Sequence, residues 1–241
     1  MPDIPLFTLT NLNFNYPGRE PVIKNLQLQF YPGERIGLVA PNGSGKTTLF
    51  HLIMGLLKPT SGSIEFLGRP AVSEEDFAAV RQKIGLLFQD ADDQLFSPTV
   101  IEDVAFGPLN LGCSREEARE ISLKTLEFLG LSDFADRVTF KLSGGEKKLV
   151  SLATVLAMKP EVLLLDEPTA GLDRKTKTRL IEILNGLELS YIIISHEFDF
   201  LKEIAHHIYT MEDGKITLDE ELYIHHHEHA HRVGAQPHKH I

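Results

Sequence analysis

The chain has 241 residues, of which 42% are hydrophobic and 24% charged, with a formal net charge of −10. That length and balance suit one large domain, or one with a smaller lobe, with a substantial buried core. The negative charge argues against nucleic acid as a partner, because phosphate contacts need a basic face. A single cysteine, Cys113, excludes an internal disulfide framework and points to a cytosolic chain. The N-terminus Met1-Pro2-Asp3-Ile4-Pro5 has no basic n-region, so no signal peptide is expected. No stretch approaches the ~18 consecutive apolar residues of a membrane span.

Residues 6–39 alternate short β-rich runs with turn signals: Leu6 to Phe14, Tyr16-Pro17-Gly18, Val22 to Phe30, then Pro32-Gly33. This predicts an antiparallel β region feeding the next strand. Tyr16 stands just before its turn and reads equally as a turn aromatic or as a platform for a flat ligand. The run Arg35-Ile36-Gly37-Leu38-Val39 predicts a short buried strand, and Leu49 to Met54 the first turns of a helix. Between them lies Ala40-Pro41-Asn42-Gly43-Ser44-Gly45-Lys46-Thr47-Thr48. Strand, glycine-rich loop and Gly-Lys-Thr opening a helix is the context of a phosphate-binding loop. Gly43 and Gly45 permit a tight turn whose backbone N–H groups face phosphate oxygens, and the helix start adds the positive end of its dipole. Lys46 is then in reach of the β- and γ-phosphates, and the Thr47 hydroxyl of a Mg²⁺ shell. Ala40 stands where the first glycine is usual, which the loop tolerates provided that its φ is negative.

Ser61-Gly62-Ser63 leads into the strand and turn Ile64 to Gly68, Ser73-Glu74-Glu75-Asp76 reads as a helix start, and Ile84 to Phe88 as a buried strand ending at Gln89. Thr99/Glu102 and Ser114/Glu117 have capping-box spacing. Ala118, Ile121, Thr125, Leu126 and Leu129 then recur at near-helical period. This stretch, roughly 90–140, interrupts an α/β pattern as a helical subdomain. Leu142-Ser143-Gly144-Gly145-Glu146 repeats the capping spacing, predicts a helix from about 145 to 157, and makes a second backbone anion site.

Val162 to Leu165 is an apolar strand ending in Asp166 and Glu167, followed by Pro168. The C-terminal strand ends of a parallel sheet face the ligand crevice, so Asp166 suits a Mg²⁺ held through water and Glu167 suits polarising an attacking water. Ala170-Gly171-Leu172-Asp173 turns into a helix expected over 177–187. Tyr191 to Ile194 is another buried strand, ending in Ser195-His196-Glu197. At the same sheet edge as Asp166, His196 suits sensing a γ-phosphate.

These motifs, in this order from residue 6 to about 220, resemble an ATP-binding-cassette (ABC) ATPase. The resemblance implies an α/β fold: a P-loop NTPase core of mostly parallel sheet with flanking helices, an antiparallel β subdomain and a helical signature subdomain. The ATPase domain is expected over 1–222 with the helical part at about 90–158. It further implies that Asn42, Gly43, Ser44, Gly45, Lys46, Thr47, Thr48, Gln89, Asp166 and, on adenine, Tyr16 bind ATP. Mg²⁺ falls to Thr47, Gln89 and Asp166, and catalysis to Glu167, His196, Lys46 and Gln89. Ser143, Gly144 and Gly145 resemble the family signature, with Glu146 where glutamine is commoner, and complete the nucleotide site of a second, head-to-tail ATPase subunit. Asp173 corresponds to the loop contacting that subunit.

Gln89 to Phe96 and Ala105 to Gly112 resemble the ATPases of energy-coupling-factor importers, especially those for cobalt and nickel. There this region receives a helix of a transmembrane coupling subunit, and Asp90, Asp92 and Asp93 suit basic residues on it; a solvated acidic loop is the alternative. A metal-binding membrane subunit, and a peripheral place on the cytoplasmic face of the cell membrane, follow from the same resemblance. Residues 223–241 form a His-rich tail, expected to be disordered, with His225, His226, His227, His229, His231, His238 and His240. A cloning tag, an incidental tail and a transition-metal-binding tail on a metal importer all fit this composition. The alternative to the importer is a soluble ABC ATPase with a metal-binding tail.

Overall fold

A computed structural model describes residues 4–41 and 43–218, arranged around two sheets. The N-terminal alternation becomes the antiparallel pair β1 (Phe7–Asn15) and β2 (Pro21–Phe30). Their inward residues Phe7, Leu9, Leu12, Ile23, Leu26 and Phe30 are buried, in a side-chain alternation of period two that is broken once in each strand, between Leu9 and Leu12 and between Ile23 and Leu26. Asn11 and Asn25 take positive φ where the pairing shifts register, a bulge that turns the ribbon. β3 (Arg35–Val39) enters the second sheet and leads through the loop into α1 (Lys46–Ile53). β4 (Ser61–Phe66) returns to pair with β1, and β5 (Arg69–Pro70) ends a four-stranded sheet ordered β2-β1-β4-β5.

α2 (Glu74–Lys83) starts at Ser73 in a reciprocal box with Asp76 and leads into β6 (Ile84–Leu87). α3 (Val100–Asn110), α4 (Arg115–Phe128) and α5 (Gly144–Leu156) begin at Thr99, Ser114 and Ser143, each closing the box with its third-residue glutamate. Losing one such cap costs about 1 kcal/mol. On α4 the inward face is Ala118, Ser122 and Leu126, continued by Leu129 just beyond the helix, whereas Ile121 and Thr125 are half-buried beside a surface cleft. β7 (Val162–Asp166) precedes α6 (Arg174–Gly186). This helix starts three residues before its expected position because Asp173 accepts from the Thr176 N–H at 2.9 Å and caps it there. β8 (Ser190–Ile194), α7 (Phe198–Ile204), β9 (His207–Glu212) and β10 (Lys215–Leu218) complete the described chain; no periodicity drew attention to the last two strands.

The second sheet is ordered β10-β9-β3-β8-β7-β6, parallel throughout except for β10 against β9. β7 and β8 are buried at every position, the continuous run that a parallel sheet covered on both faces demands. Val162, Leu164, Ile192 and Ile194 pack toward α1 and the antiparallel sheet, while Leu163, Leu165, Tyr191 and Ile193 pack toward α5, α6 and α7. Each fully buried aliphatic side chain stabilises by about 1.5–3 kcal/mol. The order β3-β8-β7 has a direct consequence for the site. Three parallel strands end side by side, so the phosphate loop, Ser195-His196 and Asp166-Glu167 meet at one edge.

Candidate functional site

The loop after β3 takes the expected turn. Gly43 and Gly45 have φ of +80° and +99°, whereas Ala40 is not among the residues with positive φ. Alanine therefore costs nothing in backbone strain at position 40. Gly45 caps α1 in the left-handed region with no side-chain hydrogen bond, which leaves the first N–H groups of the helix directed at whatever binds there. Asn42 lies outside the described residues.

Two carboxylates meet the start of α1. Thr47 Oγ1 donates to Asp166 Oδ2 at 2.7 Å, and Lys46 Nζ donates to Glu167 Oε1 at 2.8 Å. Neighbouring residues of a regular strand point to opposite faces, yet both of these reach the same helix end. The backbone explains it: Glu167 has φ +45°, and its N–H donates to the Ile194 carbonyl at 2.9 Å before the chain turns away. A left-handed non-glycine residue costs about 1–2 kcal/mol, and strain of this kind collects at functional positions. The Glu167 side chain is 3% exposed, and its second oxygen lies 2.9 Å from His196 Nδ1, on a ring that is itself 67% exposed. Burial pushes the Asp166 carboxyl above the usual carboxylate range, opposed by the Thr47 hydroxyl and the Lys46 ammonium.

Gln89 is exposed in a cleft of about 770 Å³ that also takes in Thr47, Asp166 and Gly144. Ser143 is engaged in its own box, its N–H and hydroxyl both 2.8 Å from Glu146 Oε2, and Arg137 reaches the other Glu146 oxygen at 3.3 Å. Glutamate thus closes the box as glutamine would, and its extra charge has Arg137 opposite. A Cβ on Gly145 would lie 3.2 Å from Thr176 Oγ1, so the signature start packs beside the Asp173 turn. Tyr16 is half-buried rather than freely exposed: its hydroxyl is 3.1 Å from Thr48 Oγ1 and its ring meets Phe14 edge-on at 4.9 Å. Of the acidic trio, Asp90 accepts from the Asp92 N–H at 2.9 Å, and Asp92 is paired with Lys147 at 2.5 Å. His225, His226, His227, His229 and His231 lie outside the described residues.

One residue of the site carries no motif of its own. Lys148 is 3% exposed, and its ammonium donates to the carbonyls of Phe88 at 3.2 Å and Gln89 at 2.5 Å. Burial pulls its pKa below the ordinary lysine range, against the pull of the Asp90, Asp166 and Glu167 carboxylates. A lysine at helical spacing among Leu149, Leu152 and Val155 was the available sequence signal.

A family model described as ABC transporter matches residues 23–170, from β2 past Glu167. The chain belongs to the ABC transporter ATP-binding family. A protein of Nitratidesulfovibrio vulgaris provisionally named an ABC transporter ATP-binding protein is 51% identical to this cassette over 98% of the chain and 86% of the relative. The energy-coupling factor transporter ATP-binding protein EcfA of Methanothermobacter thermautotrophicus is 42% identical over 88% of the chain and 69% of the relative. Among solved structures, CbiO1 of Clostridium perfringens, part of the ABC transporter complex CbiONQ, has a TM-score of 0.81 at 36% identity, covering 90% of this chain and 88% of that one. A dimeric ATP-binding cassette in a post-hydrolysis state bound to ADP and Pi has a TM-score of 0.80 at 28% identity, covering 91% and 99%. Cassettes of this family bind and hydrolyse ATP, pair with one another and work with transmembrane partners. Among the described residues of this cassette no helix is long and apolar enough to cross a membrane.

The residues at the sheet edge fit a nucleotide phosphate and its Mg²⁺. Asp166 Oδ1 and Ser44 Oγ are buried without a hydrogen-bond partner among the described residues. Such atoms are costly unless a cation or a donor meets them. The hydroxyl of Thr47, the carboxylate of Asp166 and the side-chain carbonyl of Gln89 make the all-oxygen set that suits Mg²⁺.

Proposed function

We propose that this chain is the ATP-hydrolysing subunit of an energy-coupling-factor importer for cobalt or nickel ions. It works as a head-to-tail pair, with itself or a paralogue, on the cytoplasmic face of the cell membrane. The observation that carries the catalytic part is the Lys46–Glu167–His196 chain, buried at Lys46 and Glu167 and open to solvent at His196, lying beside the Thr47–Asp166 pair. The transport part is supported by the 42% identity to an EcfA and by the likeness to CbiO1. The choice of metal rests on the sequence resemblance and on the histidines from His225 to His231, which suit Co²⁺ and Ni²⁺.

In this reading Asn42, Gly43, Ser44, Gly45 and Thr48 cradle the phosphates through the loop backbone and the start of α1. Tyr16 stacks on the adenine, its ring held by Phe14 and its hydroxyl by Thr48. Mg²⁺ held by Thr47, Asp166 and Gln89 would neutralise charge on the phosphoryl oxygens. Lys46 has two claims on its ammonium, the Glu167 carboxylate and the incoming phosphates. When the phosphates draw it away, Glu167 is left with His196 and takes the proton of the attacking water. Lys46 and His196 then stabilise charge on the transferring group. Ser143, Gly144 and Gly145 of the second cassette close the site, so bound ATP contacts both halves and favours the closed pair.

The coupling subunit meets an apolar groove rather than the acidic trio alone. Met54, Leu56, Phe88, Phe96, Phe106 and Met158 line a depression of about 300 Å³. Phe96 and Phe106 stand 66% and 49% exposed, edge-to-face at 4.8 Å, an unusual outlay of aromatic surface in contact with water. Of the residues 90–96, Gln94 and Phe96 line this groove, while Asp92 is already paired within the chain. Changing Phe96 and Phe106 together to serine should abolish co-purification with membrane subunits while ATP affinity stays within about twofold, because hot spots are few and aromatic. The test of the whole reading is a pull-down of the untagged chain from detergent-solubilised membranes of its own host. A polytopic coupling protein with a metal-binding membrane subunit is the expected catch. Soluble partners alone would overturn the importer and favour a cytosolic ATPase.

A further inference from the structure

We infer that Lys148 is a positioning residue for hydrolysis: from the signature helix it holds the backbone of Gln89, and so ties the partner-facing end of α5 to this chain's own nucleotide site. The inference rests on the proposed role of Gln89 at that site.

Gln89 follows β6, which among the described residues is an edge strand paired only with β7. Beyond Leu87 the ladder stops, and the carbonyls of Phe88 and Gln89 need another partner. Lys148 supplies it to both, at 3.2 and 2.5 Å. Two further ties join the same segment to α5: Gln94 Nε2 donates to the Ser151 carbonyl and to Thr154 Oγ1, each at 2.8 Å, and Lys147 pairs with Asp92. Among the described residues only the Lys148 tie grips Gln89 itself, whose side chain stands in the cleft with Thr47 and Asp166.

The choice of residue is informative. A lysine 3% exposed is rare, and its ammonium faces neutral carbonyls rather than a carboxylate ion pair. Packing alone is served at less cost by methionine or leucine. Position along the helix supplies the rest. α5 has 13 residues and begins at the Ser143 box, which makes it about 20 Å long. Lys148 lies little more than one turn from that end. Displacement of the signature end therefore reaches the Gln89 carbonyl through one rigid turn and one pair of hydrogen bonds, with no mobile loop between them.

The experiment is a double-mutant cycle on the full chain, with kcat and ATP affinity measured for Lys148→Met, Gln89→Ala and the pair. Methionine keeps the stem volume and removes the donors. Lys148→Met should lower kcat by about 10- to 100-fold, the scale of a misplaced reacting group, and leave ATP affinity within about twofold. In the Gln89→Ala background the same change should alter kcat less than about twofold, because the two act as one unit. If Lys148→Met does not yield folded protein, Lys148→Gln takes its place in the same cycle. Equal losses in both backgrounds, or an unchanged kcat, overturn the inference while leaving the site reading intact. A Gln89→Ala variant with full turnover overturns the role of Gln89 and this inference with it.

Discussion

Replacing Glu167 by glutamine should lower ATP turnover by about 10²- to 10⁴-fold, the range expected for losing a general base, while ATP stays bound. The amide keeps the shape of the carboxylate and can still accept from Lys46, so the 3%-exposed pocket does not lose its packing. What disappears is the negative charge 2.8 Å from the Lys46 ammonium. That charge competes with phosphate for Lys46, so ATP affinity should hold or rise. Retained ATP with blocked hydrolysis should accumulate the paired cassettes. Single-turnover hydrolysis, an ATP titration and size-exclusion chromatography with ATP check the three parts. A variant that stays monomeric with ATP and turns over at full rate would remove Glu167 from its role.

Gly45→Ala should weaken ATP binding by about 10- to 100-fold, or about 1.4–2.8 kcal/mol, and by more than Gly43→Ala does. Both positions have positive φ, so each alanine carries backbone strain. At +99° Gly45 lies at the far side of the left-handed region, beyond the roughly +50° to +70° that other residues visit. Space separates the two further. A Cβ at Gly45 would sit 2.7 Å from Val22 Cγ1 and 3.1 Å from the Val22 carbonyl oxygen, whereas at Gly43 nothing lies within 4 Å. Valine is stiff about χ1 and the carbonyl belongs to β2, so the relief open to the chain is to withdraw the loop, and with it the N–H groups that face phosphate. Titration of both variants with ATP, beside their melting temperatures, checks the order. A Gly43→Ala loss equal to or larger than that of Gly45→Ala would sink the steric argument.

Local chemistry made much of this protein legible without coordinates. Ser/Thr-x-x-Glu spacing located the starts of α3, α4 and α5, because a capping box is closed by residues three apart and needs nothing distant. The phosphate loop was readable for the same reason: its glycines, lysine and threonine act within one turn of chain. The apolar runs Val162 to Leu165 and Tyr191 to Ile194 announced the buried strands β7 and β8. At position 40 the alanine came with a condition, a negative φ, and the backbone meets it. The start of α6 was less so, since Asp173 rather than a later residue supplies the cap.

What the sequence by itself determined is the set of chemical groups and the elements that carry them; what the tertiary structure decided is which groups meet. Lys46 and Glu167 are 121 residues apart and Glu167 and His196 are 29 apart, and no spacing rule joins them. They meet because the parallel order β3-β8-β7 ends three strands at one edge, and because Glu167 adopts a left-handed backbone that swings it to the side Asp166 already occupies. Lys148 shows the same limit from the other side. In the sequence it is one of two lysines on an amphipathic helix, where a solvated charge is the ordinary expectation. Its burial against the Phe88 and Gln89 carbonyls exists only once α5 has packed over the end of β6, because a hydrogen bond across 59 residues depends on where two surfaces meet and not on what either strand or helix prefers alone.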